Sequence, residues 1–155
     1  MKKKINKKVR NATRVSKGSL KFRSKLELFT YNQLKLNSIP FNYEKDRFVI
    51  IDSFKYKSDC HEKKKRKGKN SFIKVSNKIS QATYLPDFTN TEDGWIIECK
   101  GLRTEAFNLR WKLFKNYLAK NNLNYDLYMP GTKKQVLVTV ELIKNKFGYA
   151  KRTTK

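Results

Sequence analysis

The spacing of hydrophobic positions changes several times along the chain. Leu26, Phe29, Leu34 and Leu36, with Leu20 and Phe22 before them, predict a short amphipathic helix over about residues 24–37. Ser24-Lys25-Leu26-Glu27 is a capping box at its start: Ser24 caps, and Glu27 reaches back to the Ser24 amide. Pro40 ends that segment. Residues 41–54 then read as extended, because Tyr43, Phe48-Val49-Ile50-Ile51 and Phe54 are strand formers. Residues 57–70 are polar and basic and read as a loop, either a hairpin tip or an insertion. Phe72-Ile73-Lys74-Val75 starts another strand. Residues 82–88 are strand-like, with Pro86 at a bend or an edge, and residues 89–94 form a turn. Trp95-Ile96-Ile97-Glu98-Cys99-Lys100 is a strand closed by Gly101.

Beyond Gly101 the period lengthens. Phe107, Trp111, Phe114 and Leu118 recur at helical spacing from a Thr104 cap and stop near Asn121-Asn122. Residues 125–129 predict a short strand, and Pro130-Gly131 a turn. Thr132-Lys133-Lys134-Gln135 is a second capping box, followed by Val136, Val140, Ile143 and Phe147 on one helical face. The order helix, strands, helix, strand, helix, without internal repeats, predicts an α/β fold with a central mixed sheet flanked by helices. It forms a single domain over residues 19–148, between a flexible basic arm (1–18) and a basic tail (149–155).

Charge narrows the partners. The 155 residues hold 37 Lys and Arg against 13 Asp and Glu, a net charge of +24. An excess this large repels itself unless a polyanion neutralises it. Lys2, Lys3, Lys4, Lys7, Lys8, Arg10, Arg14, Lys17, Lys21, Arg23 and Lys25 precede the first acid, Glu27. A second block is Lys63-Lys64-Lys65-Arg66-Lys67-Gly68-Lys69, and Lys151, Arg152 and Lys155 end the chain. Such blocks hold phosphates and supply affinity rather than base selectivity. Nucleic acid is favoured over a membrane surface, since no segment sets a strong apolar face against a basic one with nothing else to bury against. No apolar run approaches the roughly 20 residues of a membrane span. Met1-Lys2-Lys3-Lys4-Ile5 begins like an export signal, but the apolar segment that should follow is missing, so a cytoplasmic protein is expected. Cys60 and Cys99 are too few for a disulfide framework.

The candidate chemistry lies in Pro86-Asp87 and Glu98-Cys99-Lys100. Asp87 ends one strand-like segment and Glu98 sits in the next, so neighbouring strands bring the two together. Strand alternation puts Glu98 and Lys100 on one face and Ile97 and Cys99 on the other. Two carboxylates are what Mg²⁺ takes from a protein when it also binds phosphate. A divalent ion there offsets charge on a phosphorane and acidifies water, and a nearby ammonium orients that water or steadies the charge. Strand-end acids and Glu–Lys pairs are also ordinary surface features, and the capping role alone accounts for Glu27. The charge excess raises the chemical reading independently.

Pro86-Asp87…Glu98-Cys99-Lys100 resembles the signature of the PD-(D/E)XK nuclease superfamily. Together with Phe22-Arg23-Ser24-Lys25-Leu26-Glu27 and Tyr84-Leu85-Pro86-Asp87-Phe88, it resembles the phage endonuclease I family of junction-resolving enzymes, over about residues 20–102. The resemblance implies a restriction-endonuclease-like core and a Mg²⁺-dependent endodeoxyribonuclease, with Mn²⁺ able to substitute. It implies metal ligation by Asp87, Glu98, Glu27 and the Cys99 carbonyl, with Lys100 serving the attacking water and Glu27 as a fourth catalytic residue. It further implies a homodimer with exchanged segments acting on branched DNA such as four-way junctions, in the host bacterial cytoplasm if the protein is a phage product. The chain departs from that family between Asp52 and Ser80, where its basic segment is longer, and after Gly101, in Leu102-Arg103-Thr104-Glu105-Ala106-Phe107. A nuclease of the same fold with a sequence target, of the intron-homing type, and a non-catalytic basic nucleic-acid-binding protein are the alternatives.

Other features carry less. A zinc site at Cys60 and His61 lacks ligands, and His61 is expected in a loop. Cys99 is expected in the core, as are Phe107, Trp111 and Phe114. Arg103, Arg110 and Lys112 flank the candidate segment and are either phosphate contacts or ordinary solvated helix charges.

Overall fold

The structure, a computed structural model, describes residues 14–66 and 68–149, apart from the Arg66 side chain. Lys2, Lys3, Lys4, Lys7, Lys8, Arg10, Lys67 and the basic residues of the C-terminal tail lie outside the described residues.

The basic arm ends earlier than its charge suggests. β1 (Val15–Lys17) and β2 (Leu20–Phe22) form an antiparallel hairpin with Val15 opposite Phe22, turning at Gly18 with φ 58°. Phe22 anchors it: the ring is 1% exposed and packs against Tyr31 and Tyr43. α1 (Lys25–Leu36) follows, with Ser24 as its N-cap and Leu34 buried. Leu36 does not join the core; it is 77% exposed in the last turn.

The extended stretch expected over residues 41–54 is three short strands in three sheets: β3 (Asn42–Tyr43), β4 (Phe48–Ile51) and β5 (Phe54–Lys55). A break falls at Glu44, whose φ of 47° takes the backbone out of the extended region. The basic segment is not a loop. β6 (His61–Arg66) and β7 (Lys69–Lys74) pair antiparallel around Gly68, and His61 therefore sits in a strand. β8 (Lys78–Ile79) pairs with β5, and β9 (Ala82–Tyr84) with β4.

Pro86 separates β9 from β10 (Phe88–Asn90), so residues 82–88 are two elements. β10 includes Thr89 and Asn90, both buried, and shortens the expected turn to residues 91–94. Gly94 closes it at φ 77°; a Cβ there would sit 3.1 Å from the Asn124 carbonyl oxygen. β11 (Trp95–Ile97), α2 (Glu105–Lys120, capped by Thr104), β12 (Asp126–Tyr128) and α3 (Lys133–Phe147, capped by Thr132) complete the chain.

The fold is thus mixed α/β, with three helices and several small sheets among the described residues. The largest sheet has the order β12-β11-β10-β3, with β11 and β12 parallel and the other neighbours antiparallel. The parallel pair needs a long crossover, which α2 supplies. Alternation along β11 divides the core. Trp95 and Ile97, with Phe88, pack with Leu34 of α1 and Val136, Val140 and Ile143 of α3. Ile96 packs with Tyr84 and with Phe114 and Leu118 of α2. Among the described residues no helix is long and apolar enough to cross a membrane.

Candidate functional site

Sheet register lines up three acids. Phe88 pairs with Tyr43 on one side and with Ile97 on the other. One step further along each antiparallel pair, Asp87 faces Glu44 and Glu98. The Glu44 amide donates to the Asp87 carbonyl oxygen at 3.0 Å, continuing the ladder. The Cys99 amide donates to Asp87 Oδ2 at 2.7 Å and fixes that carboxylate. Pro86 before it supplies no amide hydrogen, which fits the end of pairing at this position.

Glu27 reaches the same place from the first turn of α1. Its own amide donates to Ser24 Oγ at 3.1 Å, as a capping box requires. The return contact is displaced by one residue: Glu27 Oε2 accepts from the Arg23 amide at 3.0 Å rather than from that of Ser24. Ser24 Oγ and Tyr43 Oη also donate to the Glu27 carboxylate, at 2.8 and 2.9 Å. One carboxylate oxygen each from Glu27, Glu44 and Asp87 lie within 4.8 Å of one another. Capping and membership of the acidic cluster therefore coexist in Glu27.

Glu98 is buried but stands outside that closest trio, on the far side of Asp87. Burial pushes its carboxyl up to about 7, with the Tyr84 hydroxyl and Lys100 pulling the other way and Glu27 adding to the rise. Tyr84 and Glu98 are close enough to influence each other, yet neither Tyr84 Oη nor Glu98 Oε2 has a hydrogen-bond partner of good geometry. Asp87 is held well above the usual carboxylate range, first by burial and then by Glu98 and Glu27, while the Cys99 amide works against the shift. Burial, and after it Glu27, raises the Tyr43 hydroxyl, so this group stays a donor.

Glu98 and Lys100 line a cavity of about 430 Å³ beside the acids. The Lys100 ammonium lies 4.4 Å from the centre of the Phe107 ring, so Phe107 supports the cavity wall as well as the helix face on which it was expected. The Lys100 amide donates to the Pro130 carbonyl and the Glu98 amide to that of Tyr128, at 3.0 and 2.9 Å. Arg23, Arg47 and Arg110 line the same space. Arg47 and Arg110 both donate to Thr83, each at 3.1 Å, through its hydroxyl and its carbonyl oxygen respectively. Arg23 Nη2 stands 2.7 Å from Glu44 Oε1, an ion contact without an aligned hydrogen bond. Arg103 is exposed before α2 and does not line the cavity. The Cys99 thiol points away, 3.2 Å from Thr30 Oγ1 and against the α1/α3 side of the core, and burial pushes it up out of the thiolate range.

The structure thus brings Glu27, Asp87, Glu98 and Lys100 into one region and adds residues that spacing did not mark. Glu44 had a faint signal, an acid directly after the strand former Tyr43, but its place depends on β3 pairing with β10. Arg47 carries no local signal at all, and Tyr84 stood in the stretch before Asp87 without a role of its own. The donor set is oxygen only, and a partnerless buried carboxylate oxygen stands beside it. These are the groups that hard divalent cations such as Mg²⁺ or Mn²⁺ take up.

A family model described as Protein of unknown function (DUF1064) matches residues 7–130. The chain belongs to the DUF1064 family. The match to DUF1064 spans Glu27, Glu44, Asp87, Glu98 and Lys100 and ends before α3. No match to the chain is found among the curated proteins or among the solved structures.

Proposed function

We propose that this protein is a divalent-metal-dependent endodeoxyribonuclease built on a restriction-endonuclease-like core, with β12-β11-β10-β3 as its central sheet between helices. The observation that carries the reading is the row Glu44, Asp87, Glu98 across three adjacent strands, joined by Glu27 and flanked by Lys100, in a chain of net charge +24. A structural ion network would balance such acids. Here four carboxylates stand beside Arg23 and Lys100 while Arg47 and Arg110, on the same cavity, bond to Thr83, and burial holds Asp87 and Glu98 in favour of their protonated forms. A bound cation would relieve that cost.

Asp87 and Glu98 would hold Mg²⁺, with Mn²⁺ a substitute, and Glu27, Glu44 and the Cys99 carbonyl complete the candidate ligand set. The ion, when bound, supplies charge neutralisation at the phosphate. The remaining work falls to the chain. Lys100 orients the attacking water and steadies charge on the phosphoryl oxygens as the water oxygen bonds to phosphorus and a bridging P–O bond breaks. Arg23, Arg47 and Arg110 hold the backbone on either side of the break. Branched DNA is the substrate class and a homodimer the working form. Cys60 and Cys99, both unpaired, suit a reducing cytoplasm.

The test presents a four-way junction, a linear duplex and a single strand to the protein, with Mg²⁺ or with chelator. Nicking is expected with Mg²⁺ only and best on the junction. Asp87→Asn and Glu98→Gln are expected to lower cutting at least about a thousandfold while DNA binding is kept or tightened, since negative charge near phosphate is removed. DNA binding without metal-dependent nicking of any substrate would leave a binding protein and end the reading; equal nicking of all three would remove branch preference.

A further inference from the structure

The β6–β7 hairpin has two unlike faces. Register sets His61 opposite Lys74, Lys63 opposite Phe72 and Lys65 opposite Asn70. Strand alternation places all six on one side, with Glu62, Lys64, Lys69, Ser71 and Ile73 on the other. The rings confirm the sidedness: His61 and Phe72 stack across the strands with centroids 5.8 Å apart and planes at 26°.

Burial runs opposite to ordinary amphipathic design. Ser71 and Ile73 are half-covered, whereas Phe72 is 75% exposed on the open side. The open side carries Lys63, Lys65 and Lys74 and no acid, though Lys74 meets Asp59 from the preceding loop at 2.6 Å. The other side holds Glu62, which is itself exposed and pairs with the exposed Lys64 at 3.3 Å. A large ring kept in water among ammonium groups is a poor way to stabilise a hairpin and a good way to meet a polyanion with apolar edges. A lipid surface is less well matched, since only one large apolar side chain is presented on that side.

We propose that the open side of this hairpin docks into the major groove of duplex DNA, with Lys63 and Lys65 on the flanking phosphates and Phe72, backed by His61, against base edges. A two-stranded ribbon fits that groove, and Phe meets the thymine methyl there. Six residues per strand give a ribbon of roughly 20 Å, enough to follow the groove for several base pairs. The inference rests on the DNA-directed reading above and adds which surface holds the duplex and by which side.

The experiment measures full-length protein binding to a fluorescent duplex in chelator, so that no cutting enters the signal. Two double variants remove equal charge from opposite sides: Lys63→Gln with Lys65→Gln, and Lys64→Gln with Lys69→Gln. The first is expected to weaken binding about tenfold or more and to lower the salt slope by about two, and the second by less than threefold. Phe72→Ala should weaken binding severalfold with the slope unchanged. On an A-form RNA duplex, whose major groove is too narrow to enter, the first pair should cost no more than the second. Equal losses for the two pairs on DNA would reduce the hairpin to bulk charge and overturn the proposal. So would equal losses on RNA and DNA, or loss of anionic-vesicle binding with DNA binding intact. Failure of the nuclease reading would appear separately, as absent metal-dependent nicking with this pattern preserved.

Discussion

Glu98 titrates near neutrality because burial strips its carboxylate of water, and Tyr84, Lys100 and Arg23 only partly compensate against Glu27. A raised acid favours folding while it keeps its proton. That contribution is complete below the ordinary glutamate range and is lost as pH rises through about 7. In chelator the thermal midpoint should therefore fall between pH 5 and pH 8. Glu98→Gln should make the curve shallower, with Asp87 keeping its own share of the slope, and stand above the parent at pH 8, as read by calorimetry. A parent curve flat from pH 5 to 8 would contradict the burial of this group. Adding Mg²⁺ at pH 8 should raise the parent midpoint and leave Asp87→Asn nearly unmoved. Glu44 makes a different point. It holds φ at 47°, a conformation that costs a non-glycine residue on the order of 1 kcal/mol. Glu44→Gly should relieve that strain and stabilise or leave unchanged the fold. Its Mg²⁺ requirement for cutting should nevertheless rise at least about tenfold, because the carboxylate is gone. Unchanged Mg²⁺ dependence would remove Glu44 from the site.

At the scale of elements, the caps separate stability from placement. Thr132 accepts from the Gln135 amide, and Ser24 from the Glu27 amide, in matching geometry. Thr132→Ala should cost about 1 kcal/mol in urea unfolding and slow cutting less than Ser24→Ala, since Thr132 Oγ1 bonds to the Gln135 amide and to none of the acids. Ser24→Ala should cost a similar amount and slow cutting as well, because Ser24 Oγ also donates to the Glu27 carboxylate. Equal activity of the two variants would mean that Glu27 is held without Ser24. The same caps show why helices were legible in the chain. Ser24, Thr104 and Thr132 act within four residues of their own sequence, and all three cap as read. Pro86-Asp87 and Glu98-x-Lys100 were legible for a like reason, as short patterns on one strand each. Strand partners were not. Residues 41–54 look continuous because Tyr43, Phe48 and Phe54 are equally good strand formers. Only pairing with segments about 25–45 residues away divides them among three sheets. Glu44 was hidden with that division, and Phe107 looked like plain core because helical spacing does not reveal which end of a helix borders a cavity.

At the scale of the molecule, charge opposes compactness. A net +24 on this length stores repulsion that salt screens over roughly 10 Å at 0.1 M. The thermal midpoint should climb steadily from 20 to 300 mM NaCl, and further with duplex DNA at low salt, whereas a charge-balanced domain changes little. A midpoint insensitive to salt would indicate that the cations are already spread too far apart to interact.

One pair of backbone bonds sets a timetable. Glu98 and Lys100 donate their amides to Tyr128 and Pro130, about thirty residues downstream, across a parallel pair that α2 must first bridge. A chain emerging from the ribosome can place Glu27, Glu44 and Asp87 early, but the strand carrying Glu98 and Lys100 has no outer neighbour until residue 130 is out. At about 5–20 residues per second that interval lasts roughly 2–6 s. During it the nascent chain already carries its basic blocks at residues 2–25 and 63–69, while Glu98 and Lys100 stay unbraced. Newborn chains would therefore grip before they could act.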